Sequence, residues 1–249
     1  MLRIDLNCDV GEESGSDSAI MPHVTSANIA CGAHAGDPAT MRETLLLAAR
    51  HGVAAGAHPG YPDRAGFGRR ALALTPREVY DTVADQVSTL SDIARSLDIP
   101  VAHVKPHGAL YNEAAVDARV ARSVVRAVFD VDASLLLYGL AGSMLITEAE
   151  LIGVRAIGEA FADRGYERTG QLVARGSAGA LIDDPSVAAG RVLRMVTRRV
   201  VQCVDGSDIS VRAETICIHG DGNRAAGIAY EVRRMLVDEG VRVAAPGAA

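Results

Sequence analysis

Short apolar runs and longer amphipathic stretches alternate along this chain. Arg3-Ile4-Asp5-Leu6-Asn7 alternates apolar with polar positions, as a half-buried strand does, and a polar turn through Cys8 to Glu13 follows. Val24 to Ala30 predicts a second strand. Asp37 then stands as an N-cap with Pro38 at the first helical position. Met41, Leu45 and Ala48 recur at helical spacing, and Gly52 supplies the stop. Val53 to Ala57 predicts a third strand, ended at once by His58-Pro59-Gly60. Thr75-Pro76-Arg77-Glu78 has the form of a capping box; Val79, Val83, Val87, Leu90, Ala94 and Leu97 line one face of the helix behind it. A fourth strand ends at Lys105, where Pro106 can neither donate to the ladder nor continue it.

The second half repeats the arrangement. A helix spans about Asp117 to Phe129, an apolar strand runs from Ser134 to Tyr138, and a helix covers Ser143 to Leu151. Val154 to Gly158 is the sixth strand, with Glu159 at its end. Ala160 to Ile182 lacks periodicity and is too long for a simple connector, which points to function. Asp184-Pro185 starts a helix whose apolar face passes through Leu193, Val196, Val200 and Cys203. Thr215 to Ile218 is a seventh strand, a last helix covers about Arg224 to Glu239, and Val241 to Val243 can add an eighth strand.

Strands alternating with helices imply parallel pairing with right-handed crossovers. The Gly-x-Gly-x-x-Gly of a dinucleotide-binding doubly wound sheet is missing after the first strand, and 249 residues suit a closed barrel. The expectation is one α/β domain over residues 1–249, a parallel seven- or eight-stranded (β/α) barrel. It is irregular, because no clear helix follows Val10, and residues 244–249 make a frayed tail.

Charge and composition then narrow the partners. The net charge of −6, arginines only in short pairs and 4% aromatic content argue against nucleic acid. No apolar stretch is long enough to span a membrane, and the first residues become charged too soon for a signal peptide. Cys8, Cys31, Cys203 and Cys217 lie far apart with no Cys-x-x-Cys, so they read as reduced thiols of a cytoplasmic protein.

Candidate chemistry collects at the strand ends. Asn7 and Asp9 follow the first strand, Asn28 and His34 the second, and His58 the third. Lys105 and His107 follow the fourth, Glu159 the sixth, and His219 and Asp221 the seventh. In a barrel those ends share one face, where such folds place their active sites. One histidine there would be explained equally well by packing; the same placement on several elements is not. Lys105 is the chain's only lysine, a compact charge or a titratable amine where arginine is used everywhere else.

Two physical roles fit this set. Asp9, His58, His107 and His219 can hold a divalent metal with one position open. Alternatively the group supplies general acids and bases while Lys105 or Arg64 grips a carboxylate or phosphate. The loops around Arg64 and around Asp163-Arg164 add guanidinium groups, for which an intramolecular Asp–Arg bridge is an equal reading. No Gly-x-x-x-x-Gly-Lys-[Ser/Thr] occurs, so any nucleotide is not held by a P-loop.

Taken together, Asp5-Leu6-Asn7-Cys8-Asp9-Val10-Gly11-Glu12, Asn28 to Pro38, Gly56 to Asp63, Gly66 to Arg70, Val104 to Asn112, Glu159 to Arg164 and His219-Gly220-Asp221 resemble the LamB/YcsF family over almost the whole chain. Thr169-Gly170 and Gly222-Asn223 depart from the family's usual pattern, and neither touches the strand-end set. The resemblance implies a glycoside hydrolase/deacetylase-like barrel. It also implies ATP-dependent 5-oxoprolinase activity, opening 5-oxo-L-proline to L-glutamate as component A beside companion subunits B and C.

On that basis the catalytic candidates are Asp9, His58, Lys105, His107, Glu159 and His219. The substrate- or phosphate-binding candidates are Asn7, Glu12, Asn28, His34, Arg64, Asp163, Arg164 and Asp221. The cofactors are ATP and a divalent metal, either magnesium with ATP or an ion at Asp9, His58, His107 and His219; a homo-oligomer is compatible. Two other readings fit the same residues. One is a metal-dependent deacetylase or amidase acting alone on a small acylated substrate, and the other a non-catalytic lactam- or carbohydrate-binding subunit.

Overall fold

The structure, a computed structural model, describes residues 2–219 and 224–247. Its first half contains β1 (Arg3–Val10), α1 (Asp17–Ile20), β2 (Ser26–Ala30), α2 (Pro38–His51), β3 (Ala54–His58), α3 (Pro76–Arg95) and β4 (Val101–Val104). There follow α4 (Gly108–Val116), α5 (Ala118–Val131), β5 (Leu136–Leu140), α6 (Met144–Ile152) and β6 (Ala156–Phe161). The last part holds α7 (Pro185–Arg198), β7 (Val200–Gln202), β8 (Asp208–Ser210), β9 (Thr215–Ile218), α8 (Ala225–Asp238) and β10 (Arg242–Val243).

The strands pair in the order β1-β2-β3-β4-β5-β6-β9, and β9 pairs back onto β1, so seven parallel strands close a barrel. β10 adds alongside the first residues of β1, outside the closed ring. The helices start where the sequence signals place them. Asp37 accepts from the Thr40 amide at the head of α2, and Thr75 and Glu78 form the reciprocal capping box of α3.

Three expectations need correction. The segment after Asn7 is not a turn: β1 continues to Val10, because Cys8 and Val10 face the surrounding helices while Asp9 points inward. α4 is not foreseen by the periodicity; it is a nine-residue helix with low amphipathicity, and Ala109, Leu110, Tyr111 and Ala114 are buried on it. The helix beginning at Pro185 stops at Arg198. Val200 belongs to a β7–β8 hairpin and Cys203 to the turn that follows β7, after Arg199 takes a left-handed conformation.

The apolar core lies between the barrel and its helices. Ile4, Leu6, Cys8 and Val10 on β1 and Ile216 and Ile218 on β9 pack outward, and α3 packs on α5 as α7 does on α8. The opposite faces of these strands fill the barrel with polar groups: Asp5, Asn7, Asp9, Ser26, Asn28, His103, Lys105 and Thr215, all buried. Register aligns them. Asp9 pairs with Asn28, Asn28 with Gly56 and Gly56 with His103, so one row crosses four strands. A Cβ on Gly56 would sit 2.2 Å from His103 Nε2; the imidazole occupies the space that this glycine leaves. The ring stacks on Tyr138 with centroids 4.2 Å apart.

Candidate functional site

The polar interior is one connected hydrogen-bond network. At its closed end, Asp5 accepts from Thr25, Ser26, Tyr138 and Thr215. Above it, His103 Nε2 donates to Asn28 Oδ1 at 2.7 Å, and the Asn28 amide donates to both Asn7 and Asp9. The Asn7 amide reaches Glu159 Oε1 at 2.8 Å and Thr215. Lys105 comes next: Nζ lies 2.9 Å from Asp9 Oδ1, 3.0 Å from Glu159 Oε1, 2.9 Å from Cys217 Sγ and 3.2 Å from Asn7 Oδ1.

These contacts set the charges. Burial opposes the Lys105 ammonium, but Asp9, Cys217 and Glu159 around it raise its pKa well above the ordinary lysine range. Burial likewise opposes ionisation of Asp9, yet His58 and Lys105 hold its carboxyl well below the usual range. Burial pushes the Cys217 thiol up against the pull of Lys105, so its sulfur accepts as a neutral group. Lys105 is therefore a fixed cation whose hydrogens are directed at protein groups.

At the open end of the barrel four side chains crowd together. Glu12 Oε1 lies 3.3 Å from His34 Nε2, 3.7 Å from His58 Nε2 and 3.2 Å from His107 Nδ1. One ligand atom from each of the four falls within 4.8 Å of the others, and this buried Glu/His/His/His group could hold a metal. Burial holds His34 down to about 4 and lowers His107 as well. For His58 the neighbouring Asp9 overcomes burial and raises the pKa. Burial opposes the ionised form of Glu12, and the His107 and His34 imidazoles beside it outweigh burial, holding the carboxyl below its ordinary range.

The ligand set expected from sequence is thereby regrouped. His58 and His107 stand with Glu12 and His34, yet Asp9 Oδ2 remains 3.4 Å from His58 Nε2 while its Oδ1 meets the Lys105 ammonium; His219 falls in a second donor group with Asp9 and Cys217. His219 is held from the other side. Its Nδ1 is 3.0 Å from both oxygens of Asp163, and its backbone N–H also donates to Asp163. Burial opposes ionisation of Asp163, but His219 lowers its pKa below the usual range.

A cavity of about 400 Å³ opens over this floor, lined among others by Asp9, Glu12, His58, Lys105, His107 and His219. Asn7, Asn28 and Glu159 stand beneath it in the network, and His34 stands behind His107, with the two rings stacked 3.8 Å apart. Two of the sequence candidates brace loops. Arg164 reaches the cavity wall, but its guanidinium donates to the carbonyls of Val173 and Ala180, pinning the loop after β6. Arg64 donates to the carbonyls of Gly32 and Gly36 and pairs with Glu13 at the rim. Asp221 lies outside the described residues.

Sequence reasoning gives no site role to His103, Cys217 or Tyr111, and offers Arg69 only as one of the guanidinium groups of its loop. The first two are legible by period-two alternation, since His103 shares a face with Lys105 and Cys217 with Thr215. Tyr111 lines the cavity from α4 and meets Phe161 edge-on, with ring centres 5.7 Å apart. Arg69 also lines the cavity and stacks its guanidinium 4.8 Å from the Phe67 ring centre.

Known proteins resemble this chain over almost its full length. The lactam utilization protein from Thermus thermophilus superposes with a TM-score of 0.92 at 46% identity, covering 98% of this chain and 100% of that one. A protein from Tolumonas auensis named as the A subunit of 5-oxoprolinase is 50% identical over 250 residues, covering 98% of this chain and 100% of the relative. The protein of the same name from Bacillus subtilis is 47% identical, covering 98% and 97%. The family model described as LamB/YcsF family matches residues 4–249, a span that takes in both the polar barrel interior and the crowded mouth above it. The chain belongs to the LamB/YcsF family.

Proposed function

We propose that this chain is the A component of an ATP-dependent 5-oxoprolinase, opening the lactam of 5-oxo-L-proline to L-glutamate with ATP hydrolysis, together with companion subunits B and C. The observation that carries this reading is its near half-identity, end to end, with relatives that bear the name of that component. The cavity supports it: about 400 Å³ suits a small polar ring, and its floor is built of ionised and hydrogen-bonding groups.

The chemistry assigns work to these residues. A lactam is a stable amide, and transfer of a phosphoryl group from ATP to its oxygen makes the ring carbon a better electrophile. Water then adds to that carbon, the C–N bond breaks as the ring nitrogen takes up a proton, and a second water cleaves the resulting acyl phosphate to glutamate and phosphate. His219 serves both proton transfers, a role supported by Asp163, which holds Nδ1 and leaves Nε2 as the ring's reactive nitrogen. Arg69 at the cavity wall is the fork that meets the substrate carboxylate. Lys105, with its hydrogens engaged by Asp9, Glu159 and Cys217, keeps the floor ionised and in place.

The test measures glutamate and ADP released from 5-oxo-L-proline and ATP, by this chain alone and with its B and C companions. Glutamate formed only by the complete mixture supports the proposal. Its absence from every mixture of folded subunits overturns it.

A further inference from the structure

Two groups of donor atoms crowd the open end of the barrel, and they differ in what neutralises them. Around Asp9 and Cys217 the Lys105 ammonium already stands among the donors, 2.9 Å from each. In the other group Glu12 Oε1 faces three imidazoles, and the protons of two of these are committed elsewhere.

His58 Nδ1 lies 2.7 Å from the Lys105 carbonyl oxygen, and His107 Nε2 lies 2.9 Å from the Phe67 carbonyl oxygen. A carbonyl only accepts, so each of those nitrogens carries its ring's proton. In the neutral rings His58 Nε2 and His107 Nδ1 are then bare lone pairs facing each other at 2.9 Å, with the Asp9 carboxylate 3.4 Å from His58 Nε2. Glu12 Oε1, a third acceptor, stands 3.2 Å from His107 Nδ1. Glu12, His58 and His107 are all more than nine-tenths buried, so bulk water does not screen their mutual repulsion. One added proton would bridge a single pair of these acceptors. A divalent cation accepts electron density from all three.

We propose that Glu12 Oε1, His58 Nε2 and His107 Nδ1, backed by His34 Nε2, form a binding site for a divalent cation of the zinc type. Imidazoles with one carboxylate select Zn²⁺ or Co²⁺ over Mg²⁺ and Ca²⁺, which favour all-oxygen shells. The two backbone carbonyls are the outer partners that fix tautomer and ring orientation, as metal-binding histidines require. Glycine makes room for the pair of rings: a Cβ on Gly68 would lie 2.9 Å from atoms of both His34 and His107. Glu12, His58 and His107 border the cavity and His34 does not, so the bound ion presents its remaining position to the cavity. The proposal stands on side-chain geometry and holds whatever reaction the cavity serves.

The experiment uses the full, untagged chain, stripped with a chelator and titrated with Zn²⁺ alone and with Co²⁺ alone. The wild type is expected to bind about one equivalent of either ion, with Co²⁺ giving the visible bands of a low-coordinate nitrogen–oxygen site. His58→Gln and Glu12→Gln, each checked for folding by circular dichroism, are expected to weaken binding by more than the roughly 10- to 100-fold that an outer partner is worth. His51→Gln, on an exposed helix end, is expected to bind as the wild type does. The folded wild type failing to bind either ion overturns the proposal, even if neither variant folds. Binding that survives in both folded variants marks adventitious surface coordination and also overturns it.

Discussion

Lys105 Nζ lies 2.9 Å from Asp9 Oδ1 and 3.0 Å from Glu159 Oε1, so one ammonium holds two carboxylates inside the barrel. All three groups are buried, where a carboxylate with no cation beside it is costly. The chain's single lysine is therefore the charge on which the floor of the cavity depends.

Lys105→Met should destabilise the protein by roughly 3–5 kcal/mol at neutral pH, since the two carboxylates lose their cation. Urea denaturation measures the difference. The loss should shrink on acidification, as Asp9 in the variant takes up the proton that the ammonium now makes unnecessary. A variant as stable as the wild type at pH 7 would mean that other groups compensate these acids.

Gly56→Ala should cost about 1–3 kcal/mol, the usual penalty of overpacking, because the new methyl enters the space of the His103 ring. His103→Ala removes the clash together with the ring. The double variant should therefore be more stable than the sum of the single losses predicts. Strict additivity would show that the two positions do not share this space.

Burial, with Lys105 repelling a second positive charge, holds His103 down to about 3. The unfolded chain binds a proton at an ordinary histidine near pH 6.5, while the folded one does not. The stabilisation from this residue is thus complete above that pH and is lost as pH falls towards 3. Its share of the slope is about 1.4 kcal/mol per pH unit within that window. Unfolding free energies measured between pH 7 and 5 should fall less steeply for His103→Gln than for the wild type. Identical slopes would exclude a buried neutral imidazole at this position.

Asp163→Asn should leave the fold intact and lower turnover of the reconstituted enzyme by on the order of 10²–10⁴-fold, with little change in KM for 5-oxo-L-proline. An amide no longer fixes the proton on His219 Nδ1, so the reactive nitrogen is no longer reliably Nε2. An unchanged kcat would remove His219 from the proton transfers.

Arg164→Gln should loosen the loop after β6, because the guanidinium bonds to the carbonyls of Val173 and Ala180 both disappear. Hydrogen exchange across residues 163–182 should accelerate while the barrel strands keep their protection. If exchange there stays as slow as in the wild type, the two isolated bridges, Arg164 with Leu181 and Tyr166 with Leu172, suffice to hold the loop.

Local chemistry settles a good part of this architecture in advance. Asp37-Pro38, Thr75 with Glu78, and Asp184-Pro185 each start a helix where they stand, because capping depends only on residues two or three positions apart. The alternation of strands and helices implies a parallel barrel, and polar residues at strand ends imply a site at one mouth. His58, Lys105, His107 and His219 do meet there. α4 escapes because a helix buried around most of its surface carries no clear period. The hairpin after Arg198 escapes because the apolar spacing of Val196, Val200 and Cys203 continues a helical pattern that the left-handed Arg199 breaks.

The one-dimensional pattern determined which side chains face the same way: Asp5, Asn7 and Asp9 on one strand, His103 and Lys105 on another. It could not determine who meets whom. The expected metal set joined Asp9 and His219 to His58 and His107; the fold keeps Asp9 3.4 Å from His58 but also gives Asp9 to Lys105, His219 to Asp163, and Glu12 and His34 to the two other histidines. Those partnerships join residues from 22 to 96 positions apart, and they depend on strand register and barrel closure. Only the assembled barrel brings such groups within hydrogen-bond distance, and at that distance their mutual fields decide which of them carry charge.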